Sequence, residues 1–175
     1  MPTIMTHAIV PLAIAAAAGR ARISPRVALA GAVLAMLPDA DVIGFAFGID
    51  YADPWGHRGG THSIALAVLV AGVLAAVWRE ARSVSAFAFL FLAMASHGLL
   101  DALTDGGLGI ALLWPFDDVR LFAPVTPIRV SPIGAGFFSA RGLETLLSEV
   151  LWVWLPAGWL VLTARLAGTA RRAPR

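Results

Sequence analysis

The chain has 175 residues, of which 59% are hydrophobic and 14% charged. An ordinary soluble domain carries roughly 25% charged residues, so too few polar side chains are present to coat a water-facing globule. The composition excludes that class and indicates an all-α integral membrane protein formed as a single domain over residues 1–175. Cysteine is absent, which rules out disulfides and thiolate metal ligands. The 13 basic residues are all arginine and the formal charge is +2; they are scattered and form no basic stripe, so no nucleic-acid partner is expected.

Five apolar stretches predict about five transmembrane helices, at Ile4–Ala18, Val27–Ile49, Ile64–Trp78, Val84–Leu103 and Leu146–Leu162. Several are shorter than the roughly 20 residues of a perpendicular span, a shortfall that tilt or local thinning accommodates. The first ends in a small-residue run, Ala15–Ala18, like a signal-peptide cleavage region. No basic residue precedes it, and it is read as a retained helix carrying His7.

Arg20, Arg22 and Arg26 separate it from the second stretch, where Leu37-Pro38-Asp39-Ala40-Asp41 interrupts the apolar run. Pro38 is expected to break the helix and let the chain re-enter as a loop. Asp39 and Asp41 are two apart and cannot share one face of a regular helix, so irregular backbone is needed to aim both at one centre.

After the Pro54-Trp55-Gly56 turn comes His57-Arg58-Gly59-Gly60-Thr61-His62-Ser63, with Thr61 or Ser63 available to cap the third helix. Its glycines permit a sharp path that brings both histidines to one ion. Arg79 and Arg82 precede the fourth helix, which ends in His97 and Asp101. These sit at i and i+4, on one face.

From Asp105 to Leu146 the glycines, Pro115, Pro124, Pro127 and Pro132 predict a Pro/Gly-rich outer loop or cap between the fourth and fifth helices. Glu149, near the start of the last helix, could pair with Arg129 or Arg141. Arg165, Arg171, Arg172 and Arg175 follow that helix. With five spans, these four and the five arginines of the earlier connections fall on one side, which the positive-inside rule makes cytoplasmic. The N-terminus is then outside, the C-terminus inside, and the histidines and aspartates near the outer face.

Imidazoles and carboxylates are costly among Ala, Leu and Val unless something holds them. His7, Asp39, Asp41, His57, His62, His97 and Asp101 are seven candidate ligands. That is more than the three of an open zinc site and suits two carboxylate-bridged metals. Nitrogen and oxygen donors without sulfur fit zinc first, with manganese or iron as alternatives. The chemistry indicated is hydrolysis of a phosphoester or other ester, possible lipid linkage following from the position in the bilayer. Asp41 and Arg58 are the catalytic candidates, and Arg58, Arg129 and Arg141 the candidates for holding substrate. The alternatives are a metal-ion or proton transporter or channel, which also places Asp and His within a membrane, and a structural protein with a metal staple.

The blocks Leu37-Pro38-Asp39-x-Asp41, His57-Arg58-Gly59-x-Thr61-His62-Ser63, His97-x-x-x-Asp101-x-x-Thr104 and Trp114-Pro115-Phe116 resemble those of the YdjM-like family. The likeness runs from His7 to about Trp154. Pro127-Ile128-Arg129-Val130-Ser131-Pro132 and Phe138-Ser139-Ala140-Arg141-Gly142 resemble its later blocks. The resemblance implies LexA-linked regulation, a bacterial inner-membrane location, metal dependence and hydrolase activity, without fixing a substrate.

Overall fold

The computed structural model describes residues 1–132 and 134–170 and is helical throughout its regular elements. Helix α1 spans Ile4–Ala18 and α2 spans Pro25–Met36, continuing as a 3₁₀ segment, Leu37–Phe47. Helix α3 spans Ile64–Val77 and α4 spans Val84–Ala102. Helix α5, Ala140–Glu149, runs through a π turn at Val150–Trp154 into α6, Leu155–Ala170.

Three helical runs are long and apolar enough to cross a membrane: Pro25–Phe47 (23 residues), Val84–Ala102 (19) and Ala140–Thr169 (30). This corrects the expectation of five. Each of the five apolar stretches is helical, but α1 and α3 have 15 and 14 residues, which at 1.5 Å per residue falls short of a ~30 Å hydrocarbon layer. Gly19, with φ at 81°, ends α1, and extended backbone at Trp78 ends α3. The last run begins earlier than its apolar stretch because α5 opens on a half-polar turn around Arg141 and Glu144.

A second correction concerns Pro38. It does not release a re-entrant loop; Pro38 lies in the first turn of the 3₁₀ segment, where its missing N–H costs little. The helical path continues until Gly48, in the left-handed region at φ 78°. In a three-residue turn, positions two apart point in different directions, and Asp39 and Asp41 accordingly face different partners.

Helix α4 packs between α2 and α3, and α1 packs against α2, α4 and α6. Val27, Leu34, Ala67, Ala71, Phe89, Leu90 and Met94 form the apolar core of one half of this bundle. Small residues set the spacing, as in other membrane helix contacts: at Gly31 of α2 a Cβ would collide with the Phe89 ring of α4. The segment after α4 is tied down over the other end. Ala111 N–H donates to the Arg58 carbonyl at 3.0 Å, and Ile64 N–H to that of Leu112 at 3.0 Å. Ile110 and Leu121 bridge each other within it. Arg171, Arg172 and Arg175 lie outside the described residues.

Candidate metal centre

The first turn of α1, the 3₁₀ extension of α2, the turn before α3 and the last turns of α4 all meet at one end of the bundle. They bring His7, Asp39, His62, His97 and Asp101 together, every one of them at most 5% exposed. Asp39, His62, His97 and Asp101 each offer one ligand atom, and these four atoms lie within 4.8 Å of one another. His62 Nε2 and His97 Nε2 are 3.0 Å apart.

The other ring nitrogens explain which atoms face inward. His97 Nδ1 is 2.7 Å from the Ala35 carbonyl, an acceptor, so it carries the proton. His62 Nδ1 lies 3.3 Å from Asp41 Oδ2 and 2.9 Å from Thr61 Oγ1, whose own hydroxyl donates to Asp41 Oδ2 at 2.6 Å. It therefore carries its proton too. Both Nε2 lone pairs are left facing each other, an arrangement that repels unless a cation or a proton lies between them. Two nitrogens on one tetrahedral zinc stand about 3.3 Å apart at Zn–N distances of 2.0–2.1 Å, close to the separation present.

The carboxylates face both ways. Asp39 Oδ1 is 3.3 Å from His97 Nε2 and 3.8 Å from His62 Nε2, while its Oδ2 is 3.9 Å from His7 Nε2. Asp101 Oδ2 is 3.6 Å from His62 Nε2, while its Oδ1 is 3.5 Å from His7 Nε2. Neither oxygen of either carboxylate has a hydrogen bond, nor does either nitrogen of His7. The His7 ring instead stacks on His97, with centroids 3.8 Å apart and planes at 17°. Buried polar atoms left in this state cost several kcal/mol each unless an ion coordinates them. Together with Asp41, the carboxylates outnumber the one buried guanidinium, Arg58, by two negative charges. The donor set fits a divalent cation.

Asp41 belongs to a second group with His57 and His62. His57 Nδ1 donates to Asp41 Oδ1 at 2.7 Å. Burial works to lower the pKa of His62, but hydrogen bonds to Asp39 and Asp41 outweigh it and hold the pKa above the ordinary 6.5.

Arg58 occupies the left-handed region, with φ at 67°. That conformation is uncommon for a residue with a Cβ and clusters at functional sites. Its side chain is 1% exposed and turned inward: Nε is 3.3 Å from Asp101 Oδ2, and the guanidinium donates to Thr104 Oγ1 at 3.0 Å and to the Gly106 carbonyl at 2.6 Å. It stands behind Asp101, with its donors taken up by protein groups, so the geometry differs from that of an arginine reaching toward substrate.

A family model described as YdjM inner membrane protein matches residues 1–172. The chain belongs to the YdjM inner membrane protein family. It is also 44% identical over 160 residues to the inner membrane protein YbcI of Escherichia coli (strain K12), covering 89% of this chain and 92% of that protein. No solved structure matches. An inner-membrane setting in a lipid bilayer agrees with the three spanning-length helices.

For this YdjM-family chain, the structure brings five of the seven candidate ligands into one cluster and sets Asp41 and His57 immediately behind His62. Arg129 and Arg141 stand elsewhere: Arg129 pairs with Asp105 at 2.7 Å, and Arg141 is exposed at the start of α5. Ser63, rather than Thr61, caps α3 by accepting from Leu66 N–H. Glu149 pairs with neither arginine. It is fully buried against Thr3 and Thr6, because α5 turns its Glu149 face toward α1. The Ala35 carbonyl was not foreseeable, since a backbone acceptor has no residue-type signal.

Proposed function

We propose that this protein is a membrane-embedded metal-dependent hydrolase. Asp39, His62, His97 and Asp101 hold one divalent cation, zinc by donor type with manganese or iron as alternatives. His7, with the outward oxygens of the same two carboxylates, holds a second. The observation that carries this reading is the two buried carboxylates lacking hydrogen bonds, each turned toward histidines on both sides. When bound, such cations supply Lewis acidity toward an ester oxygen and toward water. The chain's own part is to fix the donors. Asp41 and Thr61 orient His62, Ala35 orients His97, and Arg58 offsets the charge of Asp101 from behind.

The arginines at the ends of α1, α3 and α6 stand at the opposite end of the bundle from the metal centre. By the positive-inside rule that end is cytoplasmic and the centre lies near the outer face, with the N-terminus outside. A phosphoester or other ester, lipid-linked and entering from the bilayer, suits this position. The transporter reading is less favoured: among the described residues the buried polar groups gather at the metal end, and the core of the other half is apolar. The burial of every ligand favours one second reading, a metal that staples four helices.

Metal analysis of protein purified without chelator, paired with turnover of a panel of phosphoesters, lipids and amides, tests the proposal. Stoichiometric metal and metal-dependent turnover are expected. Protein without metal overturns it. Full metal without turnover, together with a metal-dependent melting temperature, selects the staple.

A further inference from the structure

Glu149 is a buried carboxylate that the metal centre does not use. It lies at the end of α5, 0% exposed, and its oxygens accept from Thr3 N–H at 2.5 Å, Thr3 Oγ1 at 2.6 Å and Thr6 Oγ1 at 2.6 Å. Thr3 is the N-cap residue of α1, yet its side chain makes no capping hydrogen bond within its own helix. A carboxylate from a neighbouring helix takes up that end instead, where the helix dipole favours negative charge.

The π turn gives this contact its second half. Trp154 Nε1 donates to Thr6 Oγ1 at 2.8 Å, so Glu149 and Trp154 grip the same threonine. Residues five apart on a regular α-helix point about 140° away from each other. The turn over Val150–Trp154, closed by Leu155 N–H on the Val150 carbonyl, brings them onto one face. Such turns recur at functional sites.

What the grip holds is the residue after Thr6. His97 and His62 each have a polar partner that fixes their ring. His7 has none on either nitrogen, and only its helix and its stacking on His97 place it. From this we infer that Glu149 is a positioning residue. By capping α1 from outside, with Trp154, it sets the depth and rotation of that helix and thereby aims His7 at the carboxylates. This inference rests on the metal-centre reading above.

The test is a double-mutant cycle on the full chain, titrated with cobalt(II) and followed by visible absorption. Glu149→Gln is expected to weaken cobalt binding about 10- to 100-fold, the range for residues that orient ligands, and to alter the cobalt spectrum as His7→Ala does. In a His7→Ala background Glu149→Gln should change affinity by less than about twofold, because the group it positions is gone. Wild-type affinity and spectrum in Glu149→Gln, or losses that multiply in the double variant, overturn the inference. Should Glu149→Gln lack native helix content, Trp154→Phe carries the test, with a smaller spectral change expected and an unchanged spectrum overturning it. Failure of the wild-type chain to bind cobalt overturns the metal-centre reading itself, and this inference with it.

Discussion

Gly98, one residue after His97 on α4, is where a single methyl group should separate metal binding from folding. A Cβ there would lie 2.7 Å from the His62 carbonyl oxygen and 3.1 Å from Leu112 Cδ2. Leu112 can rotate away, but the carbonyl is backbone. A comfortable C···O contact is about 3.3–3.6 Å, so Gly98→Ala must push the His62 turn roughly 0.6 Å from α4. Ligand positions tolerate about 0.2 Å. A loss of about 10- to 100-fold in metal affinity is therefore expected, or about 1.4–2.7 kcal/mol. Folding responds differently. Alanine gains about 1 kcal/mol of helix propensity against about 1–3 kcal/mol for overpacking, so the metal-free protein should lose at most about 2 kcal/mol. Competition with a chromophoric chelator gives the affinity, and a thermal melt of metal-free protein gives the stability. Gly72→Ala on α3 is the control, with no atom within 4 Å of the added methyl; it should bind metal like wild type. Wild-type affinity in Gly98→Ala would refute the reasoning, because His62 and His97 would then not need their present spacing.

Asp41→Asn should lower metal affinity about 10- to 100-fold with helix content intact, since it loosens His62 without removing a donor from the inner cluster; chelator competition measures it. Arg58→Gln breaks a buried pair with Asp101, a change that typically costs about 3–5 kcal/mol, and should lower the melting temperature in a way that added divalent metal partly restores. Proton and metal compete for His62. Its raised pKa means that protonation stabilises the metal-free fold fully below the unfolded value of 6.5, and that this contribution is lost as pH rises through the folded value. Melting of metal-free protein should therefore fall across that window, while metal affinity rises; parallel trends in the two would contradict the assignment.

The helices were legible because unbroken apolar runs are long-range in effect but local in sequence, and the histidine–aspartate blocks stood out by their cost in that setting. His97 and Asp101 needed no more than i, i+4 spacing. Helix ends were less legible, since the apolar residues of α1 and α3 do not announce where Gly19 and Trp78 stop them. The proline rule misled at Pro38, where a 3₁₀ segment absorbs the ring and turns Asp39 and Asp41 toward different partners. The pairing of Glu149 with Thr3 and Thr6 spans about 145 positions and crosses two helices. No local pattern encodes it, whereas an arginine nearby in sequence offers an obvious but incorrect partner.

The three histidines of the inner cluster differ in how they are held, and that difference orders their expected fragility. His97 is fixed by a backbone carbonyl on the helix next to it, a contact that survives as long as α2 and α4 stay packed through Gly31 and Phe89. His62 is fixed by side chains, Asp41 and Thr61, so point substitutions reach it without disturbing any helix. His7 is fixed by the pose of a 15-residue helix too short to span the bilayer on its own. A short helix gains little orientation from the membrane and must take it from protein contacts. The buried carboxylate at its N-terminus supplies that constraint, so the centre depends on an ionisable group that never touches it.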